Sequence, residues 1–226
     1  MNNTPHSCRQ CQSFQTTGFH LLSNQNQALF DNFKHAHNFK KGEVLFDQND
    51  NIGSVFCLRM GLIKLETMGR EGKSVTVGFI KGGEVLGLGS VLANQPVSFS
   101  ATAVEDTSTC TFKGEVFRQV LRDSPDLAIK FMTDAFKELR LLQSRLLSGV
   151  DKDVPCRVAE ALIYFVGNIP EHKFTRKELA DWAGTTPESV IRTLGHFEEE
   201  QIIAQIGRRV EIRDHSRLQE IAGIIV

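Results

Sequence analysis

Apolar residues along this chain follow two rhythms, and the change falls just past its middle. From about residue 39 to residue 112 they come in runs of three to five, at 44–46, 55–58, 62–65, 75–79, 101–104 and 110–112. Within 75–79, Val75, Val77 and Phe79 alternate with Thr76 and Gly78, as in a strand with one buried face. Glycine turns separate the runs: Lys41-Gly42-Glu43, Met60-Gly61, the stretch 69–72 and Lys81-Gly82-Gly83-Glu84. Many short strands joined by regular turns predict a sandwich or barrel. A helix is expected just before it, over 21–35.

After residue 123 the rhythm becomes helical. Ser124-Pro125 opens a helix predicted over 126–148. In it Ala128, Met132, Ala135, Leu139, Leu142 and Leu146 step by 4, 3, 4, 3, 4, the a/d seam of a coiled coil. A helix packed only on its own barrel is one reading, and Phe131 and Phe136, partly off the seam, suit that packing. A helix with two apolar faces does both, so the favoured reading is a homodimer. Gly149 is expected to end this helix, 150–155 to form a hinge, and 156–166 to open a second domain as another helix.

The stretch 175–203 predicts two short helices joined by a tight turn. Thr175 and Glu178 have capping-box spacing, and Gly184 suits the left-handed stop of the first helix. Thr185 and Glu188 repeat that spacing, with Pro187 in the first turn of the second helix. Val190, Leu194 and Phe197 recur on its core face, which leaves Glu188 and Arg192 together on the other. The plain reading is a helical hairpin carrying an i,i+4 ion pair. The sharper one is a helix-turn-helix whose second helix enters the DNA major groove. Strands expected at 202–206 and 210–212, around Gly207-Arg208-Arg209, complete a winged helix and place two arginines to meet phosphate.

Charge gives this reading no help. The whole chain carries a net charge of −1, and residues 150–226 hold ten Lys/Arg against thirteen Asp/Glu. The basic footprint usual in DNA-binding domains is missing from the composition, so a DNA interface has to rest on where charges sit. No run approaches the ~18 apolar residues of a membrane span. The polar start, MNNTPHSCRQCQ, has no apolar signal segment, so a cytoplasmic protein with no membrane partner is expected. Five cysteines, at 8, 11, 57, 110 and 156, are read as buried, redox-active or metal-linked rather than as a disulfide framework. Cys57 and Cys156 lie in apolar runs and read as core. No nucleophile elbow, phosphate loop or metalloprotease motif occurs, which speaks against an enzyme.

Three blocks, in this order and spacing, resemble the Crp/Fnr family of bacterial transcription regulators, from about Leu21 onward. The first combines 41–46 (KGEVLF), 59–64 (RMGLIK) and 82–87 (GGEVLG); the second is the seam helix; the third is Glu188-Ser189-Val190-Ile191-Arg192, the family's Glu-x-x-x-Arg. The resemblance implies an α+β fold: an N-terminal cyclic-nucleotide-binding-type β-roll, a long dimerisation helix and a C-terminal winged helix-turn-helix. Carried onto this chain, 1–20 is an arm bearing the CxxC, 21–123 the roll, 124–149 the dimerisation helix and 150–226 the DNA-binding domain. It implies a homodimer joined along Met132, Ala135, Leu139, Leu142 and Leu146, seated on a palindromic promoter site in double-stranded DNA, with RNA polymerase as a partner. Glu188 then accepts from a cytosine amino group and Arg192 donates to guanine and a phosphate, in a half-site with TGA or a near relative. Thr186, Ser189, Arg208 and Arg209 complete the expected contacts, and Ile191 offers only an apolar one.

The resemblance also bears on the signal. Leu88 and Phe99 stand where a cyclic-AMP site needs a carboxylate and an arginine, so cyclic AMP is not expected in the usual manner. Cys8, Cys11 and Cys110 resemble the oxygen-sensing Fnr branch, which implies an iron–sulfur cluster. They supply three of the four thiolates usual for one, and Gln12 to Gly18 offers no further cysteine. A cluster completed by His6 or His20, a zinc site, a reversible disulfide, haem or another small molecule in the roll, and no cofactor at all remain open readings. A functional reading of another class is a protein-binding sensor or scaffold that keeps only the helix-turn-helix shape; the acidic second half is its support.

Overall fold

The computed structural model describes residues 7–69, 72, 74–207 and 209–224. The candidate ligand His6 and the wing residue Arg208 lie outside the described residues. The chain forms two compact units, and the division falls inside one long helix, between Leu139 and Arg140.

The first unit opens with two 3-10 turns, Cys8–Gln10 and Phe19–Leu21, then helix α1 (Asn24–Phe33), capped by the Ser23 hydroxyl accepting from Asn26 N–H at 3.2 Å. Eight strands follow: β1 (His35–Phe39), β2 (Val44–Phe46), β3 (Ser54–Met60), β4 (Leu62–Met68), β5 (Ser74–Lys81), β6 (Val85–Leu86), β7 (Ser100–Ala103) and β8 (Thr107–Lys113). Helix α2 (Leu88–Ala93) interrupts them, and α3 (Gly114–Arg122) closes the set. The strands pair as two four-stranded sheets, β1-β8-β3-β6 and β2-β7-β4-β5.

Period-two alternation sorts the core. Phe56, Leu58 and Leu86 of the first sheet meet Phe46, Ile63, Leu65 and Ala101 of the second. The intervening Val55 and Cys57, with Cys110 and Phe112, face outward beneath α1, α3 and the 3-10 turns. Phe30 anchors this outer core: it is fully buried, its ring 4.4 Å from Phe112, 5.0 Å from Phe19 and 5.3 Å from Phe117. Phe30→Ala is expected to cost about 3–5 kcal/mol, since a large cavity would open among rings that cannot all collapse into it. Urea unfolding followed by circular dichroism measures this; a loss below about 1 kcal/mol would show that Phe30 is not the anchor.

Helix α4 (Pro125–Asp151) runs past Gly149, which was expected to end it. One glycine costs about 1 kcal/mol in a helix interior, and the helix continues to Asp151 before Asp153 caps its successor α5 (Val154–Asn168) by accepting from Cys156 N–H at 3.0 Å. Of the two phenylalanines expected to pack on the roll, Phe131 does so, 5.8 Å from Phe117, whereas Phe136 is 63% exposed. The second unit continues with α6 (Arg176–Ala183), α7 (Pro187–Glu199), β9 (Ile203–Ile206), β10 (Arg209–Ile212) and α8 (His215–Ile221). Its core is Val158, Leu162, Phe165, Leu179, Leu194 and Leu218, all fully buried. Among the described residues, no helix is long and apolar enough to cross a membrane.

Candidate DNA-reading face and thiol cavity

Helix α6 starts in the expected capping box: Thr175 accepts from Glu178 N–H, and Glu178 accepts from Thr175 N–H at 2.6 Å. It ends at Gly184, whose φ of 61° is the left-handed stop. The cap of α7 is Thr186, not Thr185: its hydroxyl accepts from Ser189 N–H at 3.3 Å. That shift puts Pro187 at the first helical position, where its missing N–H has no partner to lose.

Val190, Thr193, Leu194 and Phe197 form the buried face of α7. Glu188, Ile191 and Arg192 project to solvent on the opposite side. The Glu188 carboxyl accepts from its own backbone N–H and from the Thr186 hydroxyl, and these bonds hold its pKa below the usual carboxylate range. Among the described residues no ion pair joins Glu188 to Arg192, so the i,i+4 pair that the spacing allowed is not formed. Both side chains are exposed to solvent. A carboxylate near a helix N-terminus beside an exposed guanidinium can accept from one base and donate to the next.

Long-range contacts hold this pair of helices. The Arg145 guanidinium lies 3.8 Å over the Trp182 ring and donates to the Trp182 carbonyl at 3.1 Å. Tyr164 stacks on the same indole, with centroids 4.0 Å apart. Arg157 donates to the Ala183 carbonyl at 2.9 Å and so satisfies the last turn of α6. Nothing local in the sequence marks Arg145 or Arg157. The wing pairs Arg209 with Ile206 and Ile212 with Ile203 across the turn at Gly207. Arg209 is exposed beside that turn.

In the first unit, the arm from Ser7 onward is anchored rather than loose. Ser7 donates to Asp31 at 2.8 Å, Cys8 N–H donates to Asp31 at 2.6 Å, and Ser13 donates to the Arg59 carbonyl at 2.8 Å. This docking brings Cys8 and Cys11 to the outer face of the roll, where they line one cavity with Cys110. Cys57 is a buried core residue, as its apolar run predicted, and it lines the same cavity. Cys57 and Cys110 are direct cross-strand partners. Leu58 exchanges hydrogen bonds with Glu84 and Gly83 on the β6 side, so the N–H and C=O of Cys57 point at β8. The two cysteines are therefore a hydrogen-bonded pair, with Cα atoms about 5.5 Å apart and side chains on one face.

The cavity holds about 20 Å³, room for roughly one water. Burial pushes the Cys8 thiol up to about 12, with Lys34, whose ammonium is 3.9 Å from the sulfur, pulling the other way. Burial also raises Cys57 well above the usual thiol range, and raises Cys110 against the pull of Arg59 and Lys34. These three sulfurs are neutral near pH 7. Among the described residues, no three Cys, His, Asp or Glu side chains stand close enough to clasp one metal ion in this arrangement. Inside the roll, Phe46 packs 5.8 Å from Phe56 and 6.1 Å from Phe99, so aromatic rings fill the space between the sheets.

Comparison with known proteins agrees with this architecture. Residues 36–124 match the family model of the cyclic nucleotide-binding domain, and residues 156–221 match that of the Crp-like helix-turn-helix domain. The chain is 30% identical over 206 residues to the transcriptional activator protein Anr of Pseudomonas protegens, covering 87% of this chain and 84% of that one. It is 26% identical over 194 residues to the fumarate and nitrate reduction regulatory protein of Vibrio cholerae, covering 82% and 77%. Among solved structures, FixK2 of Bradyrhizobium japonicum superposes with a TM-score of 0.74 at 22% identity, covering 83% of this chain and 96% of that one. A CooA mutant of Carboxydothermus hydrogenoformans gives 0.74 at 20% identity, covering 88% and 92%.

Proposed function

This chain belongs to the Crp/Fnr family of DNA-binding transcription regulators, and from that premise we propose that it grips a palindromic promoter site as a homodimer, one α7 in each half-site. Glu188 accepts from the exocyclic amine of a cytosine, and Arg192 donates to the O6 and N7 of a guanine. The hydroxyls of Thr186 and Ser189, at the start of α7, meet a phosphate where the helix dipole favours one. Arg209 meets backbone phosphate from the wing, as does Arg208. The observation that carries this reading is the outward face of α7, where Glu188 and Arg192 are exposed and unpaired with each other while the core face is filled.

Dimerisation is supported by the apolar stripe on α4. Met132, Leu139 and Leu146 are 53%, 47% and 72% exposed, a costly arrangement unless a second copy covers them. The activity belongs to a promoter-bound activator that engages RNA polymerase in the cytoplasm. Its signal is redox, oxygen or a small ligand acting on the first unit through Cys8, Cys11 and Cys110. Cyclic AMP is a poor fit, because an unpaired cyclic phosphate would be buried against Phe46, Phe56 and Phe99.

Selection from random-sequence duplexes followed by mobility shift tests the reading. A palindrome with a C·G pair at matching positions of both halves is expected. Failure to enrich any sequence would favour the protein-binding alternative. Arg209→Ala is expected to weaken binding to all sequences alike and to lower the slope of log affinity against log salt by about 1. A sequence-dependent loss, or an unchanged salt slope, would remove Arg209 from the phosphate contacts.

A further inference from the structure

Three consecutive carbonyls lead from the end of α6 into the turn before α7, and each accepts from a guanidinium that belongs to another helix. Arg145 of α4 donates to the Trp182 carbonyl at 3.1 Å, with its guanidinium carbon 3.8 Å from the centre of the Trp182 ring. Arg157 of α5 donates from Nε to the Ala183 carbonyl at 2.9 Å and from Nη2 to that of Gly184 at 3.5 Å. The last carbonyls of a helix have no partner within it, and a cation there also meets the negative end of the helix dipole. Water could satisfy these oxygens; two planar, rigid forks also fix where they stand. We propose that Arg145 and Arg157 are the positioning residues of DNA reading: they fasten the α6–α7 turn to the end of α4, so that the pairing of two α4 helices sets the aim and the spacing of the two α7 helices. This inference rests on the dimer reading given above.

Two routes join the turn to α4. Arg145 lies on that helix itself, between the seam positions Leu142 and Leu146. Arg157 reaches it through the backbone: its Nη1 donates at 2.8 Å to the carbonyl of Lys152, the residue that follows α4. Lys152 is held in turn by Glu160, at 2.7 Å. Beyond the two forks the main chain carries the aim onward. Thr185 N–H donates back to the Ala180 carbonyl at 3.0 Å, and Thr186 caps α7. Glu188 and Arg192 follow in the first two turns of that helix. A dimer reads a palindrome only if its two recognition helices stand one turn of DNA apart, roughly 34 Å. Slack at the α6–α7 turn would leave the attraction to phosphate intact and blur that distance.

The test uses the full-length protein and the palindrome it selects, with further duplexes in which the two halves are moved one base pair closer or further apart. Arg145→Lys and Arg157→Lys each keep the charge and remove the fork. Each is expected to weaken binding to the selected palindrome by about fivefold or more and to leave binding to unrelated duplex within about twofold at the same salt. The gap between the correct spacing and the shifted ones should narrow, while sedimentation still shows a dimer. Trp182 is the only tryptophan of the chain, so its emission reports on the stack, and it should shift in Arg145→Lys. A lower unfolding midpoint with equal losses on palindrome and unrelated DNA, and with spacing preference kept, would show a merely structural role and overturn the proposal. The same holds for an Arg145→Lys protein whose Trp182 emission has shifted but which reads spacing as strictly as the wild type. A wild type that selects a palindrome yet tolerates every spacing overturns the proposal and leaves the dimer reading standing. One that selects no palindrome removes both.

Discussion

Leu139→Asp is expected to turn the protein into a monomer that has lost specific DNA binding. Leu139 is 47% exposed in the single chain, so an aspartate there harms little of the chain's own core. In the paired helices the same position would be buried twice, once from each copy, by the symmetry of the dimer. Each carboxylate would then lose water without gaining a partner, at a cost of several kcal/mol apiece. Leu142→Asp, one step further along the seam, should act alike. Two half-sites read by one linked dimer gain about 10²- to 10⁴-fold in affinity over separate readers, and that gain is what the monomer forfeits. Sedimentation gives the oligomeric state and mobility shift the affinity. If both variants sediment as dimers, α4 is not the interface.

Arg192→Ala should cost about 1–3 kcal/mol for each base that the guanidinium reads, roughly 5- to 150-fold, on the site selected by the wild type. Preference at the guanine it reads should relax at the same time. The substitution is a clean probe because Arg192 is exposed and absent from the core of α7. Thermal unfolding should therefore be unchanged. Wild-type affinity with undiminished preference for guanine would mean that α7 does not read the site. The contrast with Arg209→Ala matters, since taking a cation away from a phosphate lowers affinity without altering sequence preference.

The parts of the site that were legible in the sequence are those built from neighbours. The capping box at Thr175, the stop at Gly184 and the buried stripe of α7 involve residues at most a few positions apart. Glu188 and Arg192 were found the same way, because a spacing of four puts them on one face of any helix. The cap of α7 was misplaced by one residue because Thr185 and Thr186 are chemically equal candidates. The position of Pro187 decides between them, since proline is best tolerated at the first helical residue.

By itself the sequence determined the strand-rich first part, the long helix with its seam and the winged helix-turn-helix, since periodicity and turn chemistry are local and each run carries its own signal. Tertiary structure alone decided three other things. The stretch His35–Phe39, mostly exposed and without apolar alternation, becomes β1 only because β8 pairs with it. Arg145 finds Trp182, 37 residues away, through the packing of the second unit. Cys57 meets Cys110 because the register of β3 on β8 sets them opposite each other, and a shift of one residue would have turned Cys57 to the other face. Register and packing join residues that are distant in the chain, and no spacing within either segment encodes which partner will stand across from it.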